Sequence, residues 1–338
     1  MTHLYPLTFE PAFKDYVWGG WNLVQRFGRR PPADLDRVAE TWEISAHPHG
    51  LSHVANGSLK GWPLPHVMEC WGLHLLGMRA EAALQLGRFP LLVKLLDAAC
   101  DLSVQVHPGD DYARAHGDDV LGKTEAWYVL HANPGAQIIC GVRQGVTREQ
   151  FQSALEQGNL EPCLHFVTVE VGDVILLRPG TVHAVLAGLV VVEVQQASDA
   201  TYRVYDWNRL GSDGKPRELH VDKALDVIDF SLVEPELAGP TPLPSVPSLQ
   251  RVERVRCPHF VVEEMRLDAG TPFRATANGA TFEIWACLEG LVSVEWVGEP
   301  VQVPGVQFVL VPAALGEFAV RARESSHLLR IYLPGVDG

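Results

Sequence analysis

The stretch Gly172-Asp173-Val174-Ile175-Leu176-Leu177-Arg178-Pro179-Gly180-Thr181-Val182-His183 carries the strongest fold signal in this chain. A short apolar run between two pairs of turn residues is typical of a buried β-strand bounded by tight turns. The second turn, at Pro179-Gly180, presents His183 directly after it. The pattern therefore predicts a buried strand, a tight turn and a histidine held in position by that turn, as a metal ligand would be.

Two further segments carry side chains that bind divalent metals. Gln105 and His107 stand two residues apart, so a strand over residues 103–107 would direct both side chains to one face. Glu125 lies in the third segment. With His183 these residues supply two imidazole nitrogens, one carboxylate and one amide oxygen, a donor set that suits Zn²⁺ and is acceptable to other divalent metals. Coordination positions would remain open for water or substrate.

None of the three segments is specific by itself. The chain contains 14 histidines, and an isolated histidine is more often a surface or core residue than a ligand. The prediction depends on four compatible donors occurring together, each with a plausible local structure. We therefore expect Gln105, His107, Glu125 and His183 to form one metal site.

Composition excludes several classes of protein. A hydrophobic content of 47% with only 20% charged residues is typical of a folded globular chain, and 338 residues are enough for two domains. The six cysteines show no C-x-x-C spacing, so neither disulfides nor a cysteine zinc site is indicated. A formal net charge of -14 disfavours nucleic acid and anionic lipid as partners.

No targeting or membrane segment is evident. The N-terminal residues lack a basic region followed by an apolar core, so we expect a cytoplasmic protein. The longest apolar stretch, residues 184–192, is far shorter than the ~20 residues of a membrane span. A small molecule is the expected partner, and the sequence leaves the oligomeric state open.

Hydrophobic periodicity divides the chain into two β-rich parts. Short β-branched runs bounded by turn residues predict a first β-barrel domain over residues 1–236, and apolar spacing of three to four predicts a small helical insertion near residues 62–87. Four prolines predict a linker over residues 237–249. Residues 250–338 predict a second β-barrel, which we expect to hold no metal.

Seven segments, in order, resemble those of the type I mannose-6-phosphate isomerases (phosphomannose isomerases) in their short bacterial form, a family of the cupin superfamily. The resemblance covers most of the first 235 residues and is carried by Val17-Trp18-Gly19-Gly20, Glu40-Thr41-Trp42-Glu43-Ile44-Ser45 with His47-Pro48, Pro90-Leu91-Leu92-Val93-Lys94, residues 103–108, Gly122-Lys123-Thr124-Glu125, residues 180–184, and Ala197-Ser198-Asp199 with residues 202–206. It implies a mainly β fold of two cupin (jelly-roll β-barrel) domains, one bound zinc, and interconversion of mannose 6-phosphate and fructose 6-phosphate through an enediol.

The resemblance also implies residue roles. The metal ligands of the family fall on the four positions already chosen, its active-site arginine falls on Arg203, and the lysine before its glutamate ligand falls on Lys123. The C-terminal third matches only in general barrel style, and Thr124 replaces a proline of many relatives. These departures leave the sugar preference open.

The chemistry needs a base and a phosphate site as well as a metal. Glu193 ends an apolar strand and is the candidate base, the alternative being a salt bridge to Arg203. Lys94, Lys123 and Arg203 are the candidate ligands of the substrate phosphate, and Lys123 or Arg203 would also assist the metal during catalysis.

Three other functions fit the same residues less well. Isomerisation of a free sugar such as mannose needs the metal and base but not the phosphate pocket. A cupin oxygenase would use His107, Glu125 and His183 as a facial triad, and a non-catalytic cupin would only bind sugar. The cations Lys123 and Arg203 favour an anionic substrate over these alternatives.

Overall fold

The computed structural model describes residues 4–116, 121–211, 214–237 and 239–335, and this part of the chain is mainly β. The strands are β1 (Leu7–Glu10), β2 (Ala12–Lys14), β3 (Glu40–Ile44), β4 (Ala46–His47), β5 (Gly50–Leu51), β6 (His53–Val54), β7 (Leu91–Ala98), β8 (Val104–Val106), β9 (Glu125–Ala132), β10 (Gln137–Val142), β11 (Leu164–Thr168), β12 (Val174–Leu177), β13 (His183–Val185), β14 (Leu189–Gln196), β15 (Tyr202–Tyr205), β16 (Thr241–Pro242), β17 (Leu249–Arg256), β18 (Val261–Leu267), β19 (Pro272–Ala277), β20 (Glu283–Glu289), β21 (Leu291–Glu295), β22 (Val301–Pro304), β23 (Gln307–Val311), β24 (Gly316–Ala322) and β25 (Ser326–Tyr332).

Helices are few and short. The α-helices are α1 (Asn22–Gln25), α2 (Leu64–Trp71), α3 (Leu73–Leu76), α4 (Glu81–Gln85), α5 (Asp110–His116), α6 (Arg148–Glu156) and α7 (Val221–Val227), with 3₁₀ turns at Gly57–Leu59, Met78–Ala80 and Glu161–Cys163. Among the described residues, none of the helices has the length and apolar character that a membrane span requires. The six cysteines carry free thiols.

The chain forms two compact units. The central unit contains residues 13–41 and 93–237, and the terminal unit contains the described residues of 1–12, 42–92 and 238–338. The division differs from the expected one, in which residues 1–236 form one domain. β1 pairs with β23 of the C-terminal region (Leu7 opposite Leu310), and β6 pairs with β1. Hydrophobic periodicity reports which face of a strand is buried but not which strand lies beside it, so these pairings were not predictable.

The predicted helical insertion is present as α2, α3 and α4, and it belongs to the terminal unit. The backbone N–H of Met78 donates to Gly279 O at 2.9 Å, and the N–H of Ala313 donates to Leu75 O at 2.9 Å. The expected linker is partly ordered in a sheet, because β16 pairs with β17 as its edge strand. Proline is tolerated at a sheet edge, where no neighbour needs its missing N–H.

Two sheets make up the central unit. One has the order β11-β10-β13-β8-β15, and the other has the order β12-β9-β14-β7-β3-β2. Side chains of both sheets share one core, including Leu96, Trp127, Ile138 and Val185. The outer face of the first sheet is covered by α6 and α7 through a second core cluster that includes Phe151 and Leu225. The candidate metal-site residues lie on strands of these two sheets, except His107, which directly follows β8.

In the terminal unit, the sheet β16-β17-β18-β25-β20-β23-β1-β6 and the sheet β19-β24-β21-β22 pack around one core. Trp285 and Val309 of the first sheet and Phe318 and Val320 of the second are all buried there. The two units therefore repeat a double-sheet β architecture, each with its own apolar core.

Candidate metal centre and active site

The turn between β12 and β13 places His183 as the sequence predicts. Gly180 has φ +86°, a conformation that glycine adopts without strain. A Cβ at this position would lie 2.9 Å from the carbonyl oxygen of Val227, so glycine is required by contact as well. The buried strand and the tight turn before His183 are thus both confirmed.

Strand register brings the other polar residues to the same place. His183 of β13 lies directly opposite Gln105 of β8, and Arg203 of β15 lies opposite Gln105 on its other side. Glu125 begins β9 in the facing sheet, and His107 follows the last residue of β8. The four predicted ligands come from two sheets and from positions up to 78 residues apart in sequence.

The donor atoms of these residues converge. Nε2 of His107 lies 3.1 Å from Nε2 of His183. The Glu125 carboxylate lies 3.4 Å from the first imidazole through Oε2 and 3.3 Å from the second through Oε1. The amide nitrogen of Gln105 is 3.3 Å from Nε2 of His183, and a half-turn of the amide puts its oxygen there in the same volume. The two histidines and Glu125 are almost fully buried.

Hydrogen bonds define the protonation state of both imidazoles. Nδ1 of His107 is 2.8 Å from the carbonyl oxygen of Ala200, and Nδ1 of His183 is 2.8 Å from that of Thr181. A carbonyl can only accept, so each Nδ1 carries the proton and each neutral ring directs an Nε2 lone pair at the other. Two lone pairs at this separation repel one another unless a cation lies between them.

The pKa shifts agree with neutral imidazoles beside an ionised carboxylate. Burial, with the positive charge of Lys123, lowers the pKa of His107 to about 3, and burial lowers the pKa of His183. Burial would raise the pKa of Glu125, but the positive charge of Lys123 holds it well below its usual value. Both carboxylate oxygens of Glu125 are buried, and each lies within 3.4 Å of one imidazole Nε2. The donor set therefore fits a divalent cation.

Lys123 supplies positive charge at the edge of this cluster. Its Nζ is 2.8 Å from Oε2 of Glu125 and 3.2 Å from Nε2 of His107. The Lys123 side chain is buried, and it lines the adjacent cleft. The lysine thus lies between the candidate metal ligands and the space that a substrate could enter.

Glu193 is held by lysines rather than by Arg203. Its Oε1 lies 3.2 Å from Nζ of Lys94 and 4.0 Å from Nζ of Lys123, and its Oε2 accepts a hydrogen bond from Nε1 of Trp127 at 2.9 Å. Among the described residues it forms no ion pair with Arg203, so the alternative partner expected from the sequence was wrong. β14 directs Glu193 to the cleft, where Arg203 also lies.

Lys94 carries a charge that two carboxylates compensate. Its Nζ lies 3.6 Å from Glu40 and 3.2 Å from Glu193. Burial opposes the charged form, but the two carboxylates raise the pKa of Lys94 well above its ordinary value. The lysine is therefore a charged, buried bridge between two acids of the cleft.

The cleft next to the cluster encloses about 300 Å³. It contains all the predicted substrate and base residues, namely Lys94, Lys123, Glu193 and Arg203, together with Gln105. Four further ionisable side chains line the cleft without a role assigned from the sequence, and they are Tyr16, Glu40, Asp199 and Arg217. Glu40 and Asp199 stood in segments that carried the family resemblance, whereas no local signal distinguished Arg217. Burial and Glu40 raise the pKa of Tyr16 to about 12, so its hydroxyl stays protonated at neutral pH.

A buried histidine–glutamate–histidine cluster that could hold a metal ion, set in a double-sheet β fold beside a polar cleft, is typical of the cupin class of proteins. Residues 7–132 match the model of the phosphomannose isomerase type I catalytic domain. The mannose-6-phosphate isomerase ManA of Bacillus subtilis is 36% identical over 327 residues, which cover 93% of this chain and 95% of the relative. The chain belongs to the type I phosphomannose isomerase family.

Other relatives agree along the whole chain. A mannose-6-phosphate isomerase of Streptococcus mutans is 37% identical over 274 residues, 80% of this chain and 82% of that protein. The crystal structure of the mannose 6-phosphate isomerase from Bacillus subtilis superposes with a TM-score of 0.86 at 32% identity and covers 97% of this chain and 99% of that one. The similarity therefore extends beyond the first 235 residues, to which the motifs had confined it.

Proposed function

We propose that this chain interconverts mannose 6-phosphate and fructose 6-phosphate at the described cleft, with a zinc ion held by Gln105, His107, Glu125 and His183. The observation that carries the proposal is the pair of Nε2 lone pairs facing each other across 3.1 Å beside the buried, ionised carboxylate of Glu125, whose oxygens lie 3.3 and 3.4 Å from the two imidazoles. This arrangement adjoins a cleft lined by cations. The near full-length similarity to mannose-6-phosphate isomerases supports the choice of reaction.

The reaction moves a proton between C1 and C2 of the sugar while their oxygens exchange alcohol and carbonyl character. Negative charge develops on these oxygens in the enediol-forming step. A bound zinc would supply electrophilic stabilisation of that charge. Lys123 and Arg203 add fixed positive charge along the same cleft.

Glu193 is the proposed base. Its side chain is buried and lines the cleft. The N–H of Trp127 orients the carboxylate through Oε2, and Lys94 and Lys123 face Oε1. A carboxylate held in this way is available to accept a proton from a sugar carbon.

Arg203 is the best of the three predicted phosphate ligands. Lys94 is compensated by two carboxylates, and Lys123 is engaged with Glu125. Arg203 forms no ion pair with a carboxylate among the described residues; its Nη1 donates to the carbonyl oxygen of Glu218 at 2.7 Å. We assign Lys94 to holding Glu193 and Arg203 to the substrate anion. The cytoplasmic location remains a prediction.

One assay tests the function. Purified protein is supplied with mannose 6-phosphate, and formation of fructose 6-phosphate is followed with and without a chelator and after addition of zinc. We expect turnover that the chelator abolishes and zinc restores, with about one zinc per chain in the active form. Free mannose, run in parallel, should react poorly. Equal turnover of both sugars, or activity that survives complete metal removal, would contradict the proposal.

A further inference from the structure

Two guanidinium groups bind the carboxylate of Asp206 near Arg203, and in this arginine cluster (Arg203, Arg209 and Arg217 with Asp206) only Arg203 has a role assigned so far. Oδ2 of Asp206 accepts from Nε of Arg217 at 2.7 Å, and Oδ1 accepts from Nη2 of Arg217 at 2.5 Å and from Nη2 of Arg209 at 2.6 Å. Asp206 is buried. One acid therefore fixes two arginines.

The members of the cluster differ in their access to the cleft. Arg203 and Arg217 line it, whereas Arg209 is not among its lining residues. Arg209 instead donates to the carbonyl oxygen of Asp101 and holds the other side of Asp206. Two of the three cations are thus presented to whatever occupies the cleft.

Hydrogen-bonding capacity is left unused on the two lining arginines. Nε of Arg203 is buried and donates to no acceptor among the described residues. Arg217 uses Nε and Nη2 on Asp206, and its Nη1 donates to none of the described residues. A buried donor without an acceptor is costly, so Nε of Arg203 fits an acceptor that arrives with the ligand, and the partly exposed Arg217 has a further N–H to offer it.

Charge balance points to the same conclusion. Three guanidinium groups face a single buried carboxylate, and Glu218, the other nearby acid, is exposed and meets Arg203 through its backbone carbonyl. Burial and the neighbouring Arg217 lower the pKa of Arg203, as expected where like charges are crowded. A dianion would complete the site, and a phosphate monoester has both this charge and the geometry that arginine forks bind.

Strand register relates this end of the cleft to the metal end. Arg203 lies opposite Gln105, one of the four candidate metal ligands, in the pairing of β15 with β8. A small molecule bound at the metal cluster could therefore also contact the arginine cluster.

We infer that Arg203 and Arg217 form the phosphate-binding subsite, and that Asp206 is a positioning residue which holds the Arg217 guanidinium toward the cleft. The inference rests on the proposed function for the identity of the phosphate monoester, but phosphate binding itself does not require turnover. Arg217 had no assigned role in the sequence reasoning.

The test combines kinetics with direct binding to the full-length, zinc-loaded protein. KM and kcat are measured with mannose 6-phosphate, and inorganic phosphate is used both as a competitive inhibitor and as a calorimetric titrant. Arg217→Ala should raise KM and the inhibition constant of phosphate about tenfold or more, because a charge-assisted fork is lost, while kcat stays within about threefold. Arg217→Lys keeps the positive charge but cannot form the two parallel hydrogen bonds of an arginine. Its KM and inhibition constant should therefore lie between those of the wild type and Arg217→Ala.

Arg148→Ala is the matched control. Arg148 is a surface arginine of the same unit, paired with Asp226 at 3.3 Å, and it does not line the cleft. Its removal takes away one positive charge without touching the proposed subsite. Phosphate inhibition should remain unchanged in this variant.

Asp206→Asn separates positioning from simple charge. Removing a negative charge would by itself strengthen binding of an anion, whereas releasing Arg217 from its clamp would weaken it. We expect weaker phosphate inhibition. Tighter inhibition would overturn the positioning role of Asp206.

The outcomes distinguish this inference from the proposed function. A folded Arg217→Ala variant with unchanged phosphate binding, or with a loss confined to kcat, would overturn the subsite even if the wild type isomerises mannose 6-phosphate. Phosphate binding that depends on Arg217 in a protein without isomerase activity would uphold the subsite and refute the reaction.

Discussion

At the scale of single residues, the site depends on which nitrogen of each histidine carries its proton. Backbone carbonyls of Ala200 and Thr181 take up the Nδ1 protons, so both Nε2 atoms are left as donors to a cation. Histidine type and spacing are visible in the sequence. The tautomer is not, because the carbonyl of Ala200 comes from 93 residues beyond His107 and the contact of His183 with Thr181 depends on the folded geometry of the turn.

Glu193 and Glu40 provide a matched pair for testing the base, since both flank Lys94 but only Glu193 accepts a hydrogen bond from Trp127. Glu193→Gln should lower kcat by about 10²-fold or more with little change in KM, because a general base is lost. Glu40→Gln should retain most of kcat. Steady-state kinetics with mannose 6-phosphate measures both, and an equal loss in the two variants would mean that Lys94, not the base, had been disturbed.

At the scale of elements, two tight turns and the register of three strands assemble the cluster. β13, β8 and β15 pair so that His183, Gln105 and Arg203 stand side by side. The period of two along each strand directs alternate residues to opposite sheet faces, so Ile138 and Cys140 enter one core while Ile139 enters the other. A register slip of one residue would remove the ligands from the site.

The turn before His183 gives a prediction with a close control. Gly180 and Gly145 both have positive φ, +86° and +84°, but a Cβ at Gly180 meets the carbonyl of Val227 at 2.9 Å and one at Gly145 meets nothing within 4 Å. Both alanine variants should lose about 1 kcal/mol of stability from backbone strain. Gly180→Ala should additionally lower zinc content. Denaturant unfolding and metal analysis check this, and equal zinc content in the two variants would show that the turn does not position His183.

In the terminal unit, a pair across neighbouring strands predicts a pH dependence of stability. Glu264 of β18 accepts from Nε2 of His327 of β25 at 2.8 Å. Burial would raise the pKa of Glu264, but His327, with Arg254 and Arg266, holds it below the usual value. The folded-state pKa is thus lower than the unfolded one, so the stabilisation is present above about pH 4.5 and is lost as pH falls through the folded-state value.

Glu264→Gln tests that assignment. The variant should be less stable at pH 7 by roughly 1–2 kcal/mol, because a hydrogen bond to a charged group is weakened. Its stability should also fall less steeply than that of the wild type as the pH drops below about 4.5, because the titrating carboxyl is absent. Denaturant midpoints across this range measure both effects. If the variant loses stability at low pH to the same extent as the wild type does, groups other than Glu264 must cause that loss.

At the scale of the whole molecule, stability and metal binding should be linked. A cation that binds only the folded chain stabilises it by about 4 kcal/mol at 1,000 times its dissociation constant. A chelator should therefore lower the Tm of the wild type. His107→Ala and His183→Ala should be folded, free of zinc, inactive, and insensitive to chelator. Circular dichroism, metal analysis and scanning calorimetry give the readouts; a full zinc complement with normal turnover in either variant would refute the four-residue site.

Local chemistry was enough to name the four candidate ligands, the buried strand and turn before His183, and the family. Ligand-type side chains, two ligands spaced two residues apart on a strand, and turn-forming glycine and proline are all features of short segments. Such features can be interpreted from sequence alone. The helix α6 likewise begins at a local pattern, a capping box formed by Thr147 and Gln150.

Only the tertiary structure determined which residues and strands lie next to one another. Glu193 pairs with Lys94 rather than Arg203, Arg217 enters the cleft from a loop without any motif, and β1 and β6 join the C-terminal strands. Each of these facts concerns residues far apart in sequence that strand pairing or loop placement brings together. Side-chain periodicity carries no information about the neighbour across a sheet, so only the folded chain could supply them.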